Sequence, residues 1–234
     1  QSNVGRTAVT SSTGIYATAR TNLPYAVPYD ANGNRIDNPG GDSTIRTPVD
    51  EYKLSQDQRI TLRAFGSLYA QFDLGAISSK LDGLKYRINF GPDLTSFRDG
   101  VYLDGKSAIR SGTSFASLAK EQTISYTLDN LLLYNKTWGN HSIGGTLLMS
   151  QTEYHNESSS MSANDIKNPE NKWNALNPAN VTLAGYSSGL TDTGLLSYMG
   201  RVNYTYADKY LFTASGRYDG ASQLASENRW AFFP

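Results

Sequence analysis

The chain has 234 residues, with 21 Lys and Arg against 21 Asp and Glu, so it carries no net field of the kind that draws in nucleic acid. It has no Cys and two His, His141 and His155, which excludes a disulfide framework, a thiolate metal site, a Cys nucleophile and a multi-histidine metal centre. Sixteen Tyr and 21 Gly point to an all-β protein with long polar loops, and the longest purely apolar run, Leu131 to Tyr134, is far short of the ~20 residues of a spanning helix.

Residues 1–58 read as a long connection. Within it, Asp30-Ala31-Asn32-Gly33-Asn34 resembles a calcium loop, but its Gly falls at the fourth position and no Glu stands at the twelfth, so a tight turn is expected. From Ile60 to Leu74 the even positions (Ile60, Leu62, Ala64, Gly66, Leu68, Ala70, Phe72, Leu74) are apolar or small, and the odd ones mostly polar. That is a period of two over fifteen residues, about 50 Å of strand, enough to cross the ~25–30 Å of a bilayer core when tilted. The alternation returns at Leu84, Tyr86, Ile88 and Phe90. It is noisier over Ile124–Trp138, where Asn130 and Lys136 interrupt the apolar face, and over Ser142–Tyr154. It is clean over Leu196–Tyr206 and Tyr210–Tyr218, and Trp230 opens a further strand.

In the four clear strands the apolar faces carry no charge, whereas the other faces carry Arg63, Asp73, Lys85, Arg87, Arg201, Arg217 and Asp219. An Arg or Lys on a lipid-facing position at mid-depth costs roughly 2–4 kcal/mol, so this separation is what a membrane strand requires. Lys136 lies close enough to a turn for its stem to snorkel to the interface. Connections alternate in length. Short turns fall at Gly139-Asn140, Ala207-Asp208-Lys209 and the stretch through Asp82-Gly83, while the long connections span 1–58, 91–122, 155–193 and 220–229. Trp138, Tyr204, Tyr206 and Tyr210 gather at the short turns and Tyr198 and Tyr218 nearer the long ones, as in the two aromatic belts of an outer-membrane barrel. Six strands and the start of a seventh are fewer than the 8 of the smallest bacterial barrels, so the chain is expected to be an internal piece of a larger one.

The succession Ser197-Tyr198-Met199-Gly200-Arg201-Val202-Asn203-Tyr204, then Asp208-Lys209-Tyr210-Leu211, Arg217-Tyr218-Asp219-Gly220-Ala221-Ser222 and Asn228-Arg229-Trp230-Ala231-Phe232-Phe233-Pro234, resembles the barrel of SusC/RagA-type TonB-dependent transporters of Bacteroidetes outer membranes. Pro28–Asn34 and Gly83–Gly91 resemble upstream stretches of the same barrel, while Tyr218 and Ala221 stand where the family pattern has a basic residue and a Ser. The resemblance implies a partial transmembrane β-barrel over 1–234, without the plug domain and the later strands. It implies energised import of oligosaccharides or peptides, a SusD-like surface lipoprotein as lid, TonB as energy donor, and no catalytic residue or cofactor.

Aromatic rings amid Asn, Ser and Asp in the long loops, Trp173, Tyr186, Tyr154 and Tyr25, suit sugar stacking or loop packing, and Arg201, Arg217 and Asp219 are expected to line the lumen. No metal site is expected, since both His read as solvated. Gly185-Tyr186-Ser187-Ser188-Gly189 matches the G-x-S-x-G pattern of a nucleophile elbow, but it lacks the strand-turn-helix context, so plain loop is expected. The alternative to a transporter is a soluble secreted β-sandwich module that binds carbohydrate.

Overall fold

The two faces predicted from the alternation are the two faces of one hydrogen-bonded sheet. The computed structural model describes residues 2–5, 19–110, 112–177 and 181–234. Its strands are β1 (Ser2–Gly5), β2 (Ser55–Phe65), β3 (Leu68–Asp73), β4 (Leu84–Leu103), β5 (Phe115–Trp138), β6 (His141–Asn164), β7 (Thr182–Tyr206), β8 (Tyr210–Ala221) and β9 (Trp230–Phe233). They hydrogen-bond in the order β1-β2-β4-β5-β6-β7-β8-β9, with β3 also on β4. A β-sandwich requires a second sheet packed on the first; the described strands form a single sheet. No helix among the described residues is long and apolar enough to cross a membrane.

By its internal contacts the chain divides into two units, the first Gln1–Leu62, Ser96–Gln122 and Glu157–Gly189, the second Arg63–Thr95, Thr123–Asn156 and Leu190–Pro234.

The second unit shows the sidedness residue by residue. Directly opposed residues of an antiparallel pair share a face. Between β7 and β8, Leu196↔Gly220, Tyr198↔Tyr218, Gly200↔Gly216, Val202↔Ala214, Tyr204↔Phe212 and Tyr206↔Tyr210 give one face with no charge. Ser197↔Asp219, Met199↔Arg217, Arg201↔Ser215 and Asn203↔Thr213 give the other. Between β3 and β4 the same division holds, with Leu68↔Phe90, Ala70↔Ile88 and Phe72↔Tyr86 against Tyr69↔Asn89, Gln71↔Arg87 and Asp73↔Lys85. On the apolar face Leu68, Phe72, Leu147, Val202, Phe212 and Phe232 are exposed large side chains. An area of that kind needs hydrocarbon or a partner to cover it.

The two residues that broke the apolar face of β5 are accounted for. Tyr86 Oη donates to Asn130 Oδ1 at 2.6 Å, which satisfies the amide on the apolar side. Lys136 Nζ reaches Asp82 at 3.5 Å in the β3–β4 turn, the snorkelling expected of it. Asn135 N–H also donates to Gly83 O in that turn, and a Cβ at Gly83 would lie 2.2 Å from Asn135 O, so only glycine fits there.

The tight turns form where predicted. Ala207 and Asp208 both take positive φ (51° and 55°), with Lys209 N–H donating to Tyr206 O at 3.0 Å, the pattern of a type I′ hairpin. Around these turns the rings of Trp138, His141, Tyr204, Tyr206 and Tyr210 form one cluster, with His141 stacked on Trp138 at 5.9 Å and its Nδ1 hydrogen-bonded to Tyr204 Oη at 2.6 Å. His141 is therefore a member of the aromatic belt rather than a solvated surface group. At the other end of the same ladder Tyr218 stacks on Trp230 at 4.8 Å, with Tyr198 alongside. Eight residues separate Tyr198 from Tyr206, about 26 Å of strand. After a tilt of about 40° this is ~20 Å, and the rings' own length makes up the apolar band of about 25 Å.

Three expectations are corrected. The fifteen-residue run from Ile60 is divided at Gly66-Ser67, where Gly66 N–H donates to Pro92 O but Pro92 has no N–H to return. The predicted loops 91–122 and 155–193 are mostly strand, because β4, β5, β6 and β7 run on and leave connections of only 104–114 and 165–181. These extensions mix polar and apolar residues on both faces, so they carry no clean alternation, and the ladder to the neighbouring strand holds them extended. Finally, β1 and the start of β2 lie within the predicted connection 1–58.

Candidate functional site

On the polar face of the second unit the charged groups are organised into short-range pairs. Arg63 grips Asp93 through two hydrogen bonds, 2.9 Å and 2.5 Å, a bidentate geometry. Arg87 donates to Asn89 Oδ1 at 2.7 Å and lies 4.3 Å from the Tyr69 ring centre. Asp129 accepts from Ser150 at 2.6 Å. Arg217 donates through Nε to both Asp219 oxygens at 2.7 and 2.9 Å, and its second amino group donates to Ser197 Oγ at 3.0 Å, the residue opposite Asp219 in the ladder. The two predicted lumen residues thus hold each other, and Arg201 stands exposed on the same face one pair further along. Arrays of this kind present fixed dipoles and charges on one face of the sheet.

The first unit has its own apolar core: Tyr102, Ala116, Ala163, Ile166, Trp173 and Val181, with Leu118 and Leu176 packed on it. Burial and the neighbouring Asp104 push the Tyr102 phenol up to about 12, so it stays protonated and donates to Asp104 at 3.1 Å. The helical turn α1 (Glu51–Leu54) starts β2, and the Glu51 carboxylate, 2% exposed, accepts from Ser107 Oγ and from the Ala108 N–H, which fixes the connection after β4. The 3-10 segment Pro169–Asn174 delivers Trp173 onto Gly100 of β4. A Cβ there would fall 2.4 to 2.5 Å from three indole atoms, so Gly100 is where the backbone makes room for the ring. Gly100→Ala should displace the ring, costing about 1–3 kcal/mol and lowering the apparent melting temperature of the full-length protein. An unchanged melting curve would contradict this packing.

Beside Trp173 lies a cavity of about 550 Å³ walled by Tyr52, Ser55, Gln56, Asp57, Gln58, Glu170, Lys172 and Asn174. Its lining is polar amides, carboxylates and aromatic edges. Arg98 donates to Asn174 at 2.8 Å and so ties the 3-10 segment to β4.

The predicted site residues are scattered. Trp173, expected as a loop ring for sugar stacking or loop packing, is 6% exposed and belongs to the core, the second of those two roles. Tyr154 lies on β6 and Tyr186 on β7, in strand rather than loop, and Tyr186 is 83% exposed. Tyr25 is exposed in the N-terminal connection. His155 is bound to Asp192 at 2.5 Å. Ser187 of the G-x-S-x-G match lies within β7 and shares a hydrogen bond with Ser160 Oγ at 2.7 Å, so the match is strand, not a nucleophile elbow. Asp30 accepts from the N–H groups of Asn32 and Asn34 and from the Asn34 amide, which hold its carboxyl below the usual range and close the turn on itself. Among the described residues no group of three or more acidic or His side chains could hold a metal.

Sequence reasoning missed Asp57, Arg59 and Asp99. Arg59 meets Asp99 at 3.1 Å, a pairing set by strand register, for which the residue pattern alone holds no signal.

Comparison with known proteins agrees with this architecture. No family model matches the chain. It is 30% identical over 207 residues to TonB-dependent receptor P3 of Formosa agariphila, covering 88% of this chain and 20% of that protein. It is 40% identical over 57 residues to TonB-dependent receptor SusC of Bacteroides thetaiotaomicron, covering 24% of this chain and 6% of that one. The fold matches a chain of the RagAB peptide transporter with a TM-score of 0.70 at 19% identity, over 88% of this chain and 23% of that chain. The chain spans about a fifth of the length of the curated relatives that it matches along most of its own length.

Proposed function

Since the chain belongs to the SusC/RagA type of TonB-dependent receptors, β-barrel proteins of the bacterial outer membrane, we propose that it forms part of the wall of a transporter that imports oligosaccharides or peptides. The observation that carries this reading is the sidedness of the second unit, where a charge-free face bounded by two ring clusters backs a face of paired charges. Hydrocarbon outside and a hydrated passage inside demand that division. One barrel-wall domain over 1–234 is part of the proposal. So are a SusD-like surface lipoprotein as lid and TonB as the source of energy through a region of the receptor beyond this stretch.

Within this reading the wall makes and breaks no bond. Arg201, Arg217 and Asp219 meet cargo or a plug on the polar face, Tyr154 and Tyr186 meet cargo or the lipoprotein, and Trp173 holds the wall of the cavity beside it. Disrupting the gene in its native cell should abolish uptake of at least one class when oligosaccharide and peptide mixtures are supplied separately. Dissipating the inner-membrane proton gradient should abolish the same uptake in the intact strain. Undiminished uptake of both classes in the disrupted strain would refute the proposal.

A further inference from the structure

The charge-free face of the second unit changes character just beyond the Tyr198, Tyr218 and Trp230 rings, on the side away from the tight turns. The face can be followed from β7 onto β6. A Cβ at Gly200 would lie 3.6 Å from the Leu147 side chain, and one at Gly194 3.3 Å from the Glu153 carboxylate. Met149, Gln151 and Glu153 therefore share the side of Gly200, Tyr198, Leu196 and Gly194. One step further along both strands, His155 meets Asp192 at 2.5 Å in the same alignment. Leu196 and Gly194 lie two and four residues past Tyr198, about 5 and 10 Å of height on a tilted strand. That is the headgroup layer, which makes up the difference between a hydrocarbon core of about 30 Å and a bilayer of about 40–45 Å.

A cavity of about 290 Å³ opens at this level. Its floor is apolar: Met149, Leu196 and the Trp230 indole, which lies across Gly220 where a Cβ would fall 2.6 Å from the ring. Its rim is polar: Gln151, Glu153, Ser222 and Arg229. Gln151 donates to Glu153 Oε1 at 3.1 Å, which orients the carboxylate and keeps Oε2 as an acceptor. Ser222 Oγ accepts from the Gly194 N–H at 2.7 Å, so its own hydrogen can serve a further acceptor. The Arg229 carbonyl accepts from the Ala221 N–H at 3.0 Å, which holds this cation at the end of β8. The floor continues the face that meets hydrocarbon, and the rim stands where lipid heads begin. An amphiphile aligned with the membrane fits both at once, with a chain below and a head above. The rim offers one guanidinium for a phosphate and three further hydrogen-bonding side chains, more than a single head-group ammonium uses and suited to a sugar with several hydroxyls. Long connections mark the outer side of such a barrel, so the leaflet concerned is the outer one.

We propose that this cavity binds a phosphorylated glycolipid of the outer leaflet. Arg229 pairs with a phosphate, Gln151, Glu153 and Ser222 bond the sugar hydroxyls, and an acyl chain lies over Met149, Leu196 and Trp230. The site rests on the outer-membrane placement of the sheet and is independent of what the wall transports.

The test is native mass spectrometry of the full-length protein, purified from outer membranes in mild detergent, stripped of lipid and titrated with three probes. These are diphosphorylated lipid A, the same lipid A with its phosphates removed, and phosphatidylethanolamine. One equivalent of diphosphorylated lipid A should bind about 10-fold or more tightly than either of the others, the scale of a charge-assisted hydrogen bond. Arg229→Gln should abolish that preference. Lys209→Gln, which deletes a cation at the opposite ring cluster, should keep it in full. Equal binding of the three probes, or a preference that survives Arg229→Gln, would overturn the site. Tighter binding of phosphatidylethanolamine would overturn the glycolipid assignment, and an equal loss in Lys209→Gln would reduce the effect to general charge. Outer-membrane abundance of Arg229→Gln near wild type separates all of these from a failure of the barrel reading. The probe comparison in the wild type decides alone if that variant fails to accumulate.

Discussion

Placing an arginine at Val202 is expected to strip the full-length protein from the outer membrane. Val202 faces Ala214 at the middle of the ladder, four residues from the Tyr198↔Tyr218 pair and four from Tyr206↔Tyr210, so it marks the midplane between the two ring clusters. A guanidinium there has neither snorkelling distance nor partner, and its cost at the midplane is roughly 2–4 kcal/mol. That corresponds to about 30- to 900-fold in the equilibrium between the inserted and uninserted states. The neighbouring Asn203→Arg adds the same charge to the same strand but on the polar face, opposite Thr213, and should leave outer-membrane levels near wild type. Quantifying both variants in purified outer membranes separates the two cases. Equal abundance would mean that the apolar face does not meet lipid.

This contrast also marks what could be read from the residues. Where one face must be free of charge and the other hydrated, the requirement is written at every second position. The strands around 196–218, both tight turns and the ring clusters are accordingly where the alternation places them. The upper parts of β4 to β7 have no such requirement. Stretches such as Asp93 to Asp99 and Glu157 to Ser160 carry no clean alternation and look like loop, although backbone pairing with a neighbouring strand is enough to extend them. Trp173 is left between two roles by the sequence for a different reason. A lone Trp between Lys172 and Asn174 has no periodic context, and only the bare backbone of Gly100, more than seventy residues away, reveals that the ring is packed. The Arg59–Asp99 pair depends on register, which composition does not contain.

Truncating that ring supplies the second large effect. Trp173→Ala should destabilise the first unit by about 3–5 kcal/mol, the range for removing a buried large aromatic without collapse of the space it leaves. The space cannot close easily, because the ring is bounded by the β4 backbone at Gly100 and by Tyr102, Ile166 and Val181, all held in or beside the ladder. Trp173→Phe should cost far less: the indole Nε1 is enclosed without a partner, so its loss forfeits no hydrogen bond and relieves an unsatisfied donor. Limited proteolysis of the full-length protein should show the first unit cut rapidly in the alanine variant and nearly as in wild type in the phenylalanine variant. A ring used only for stacking on a sugar would behave in the opposite way, with alanine lowering cargo affinity while the protease pattern stayed unchanged. The two outcomes distinguish a structural pillar from a cargo contact at a residue for which the sequence allows both roles.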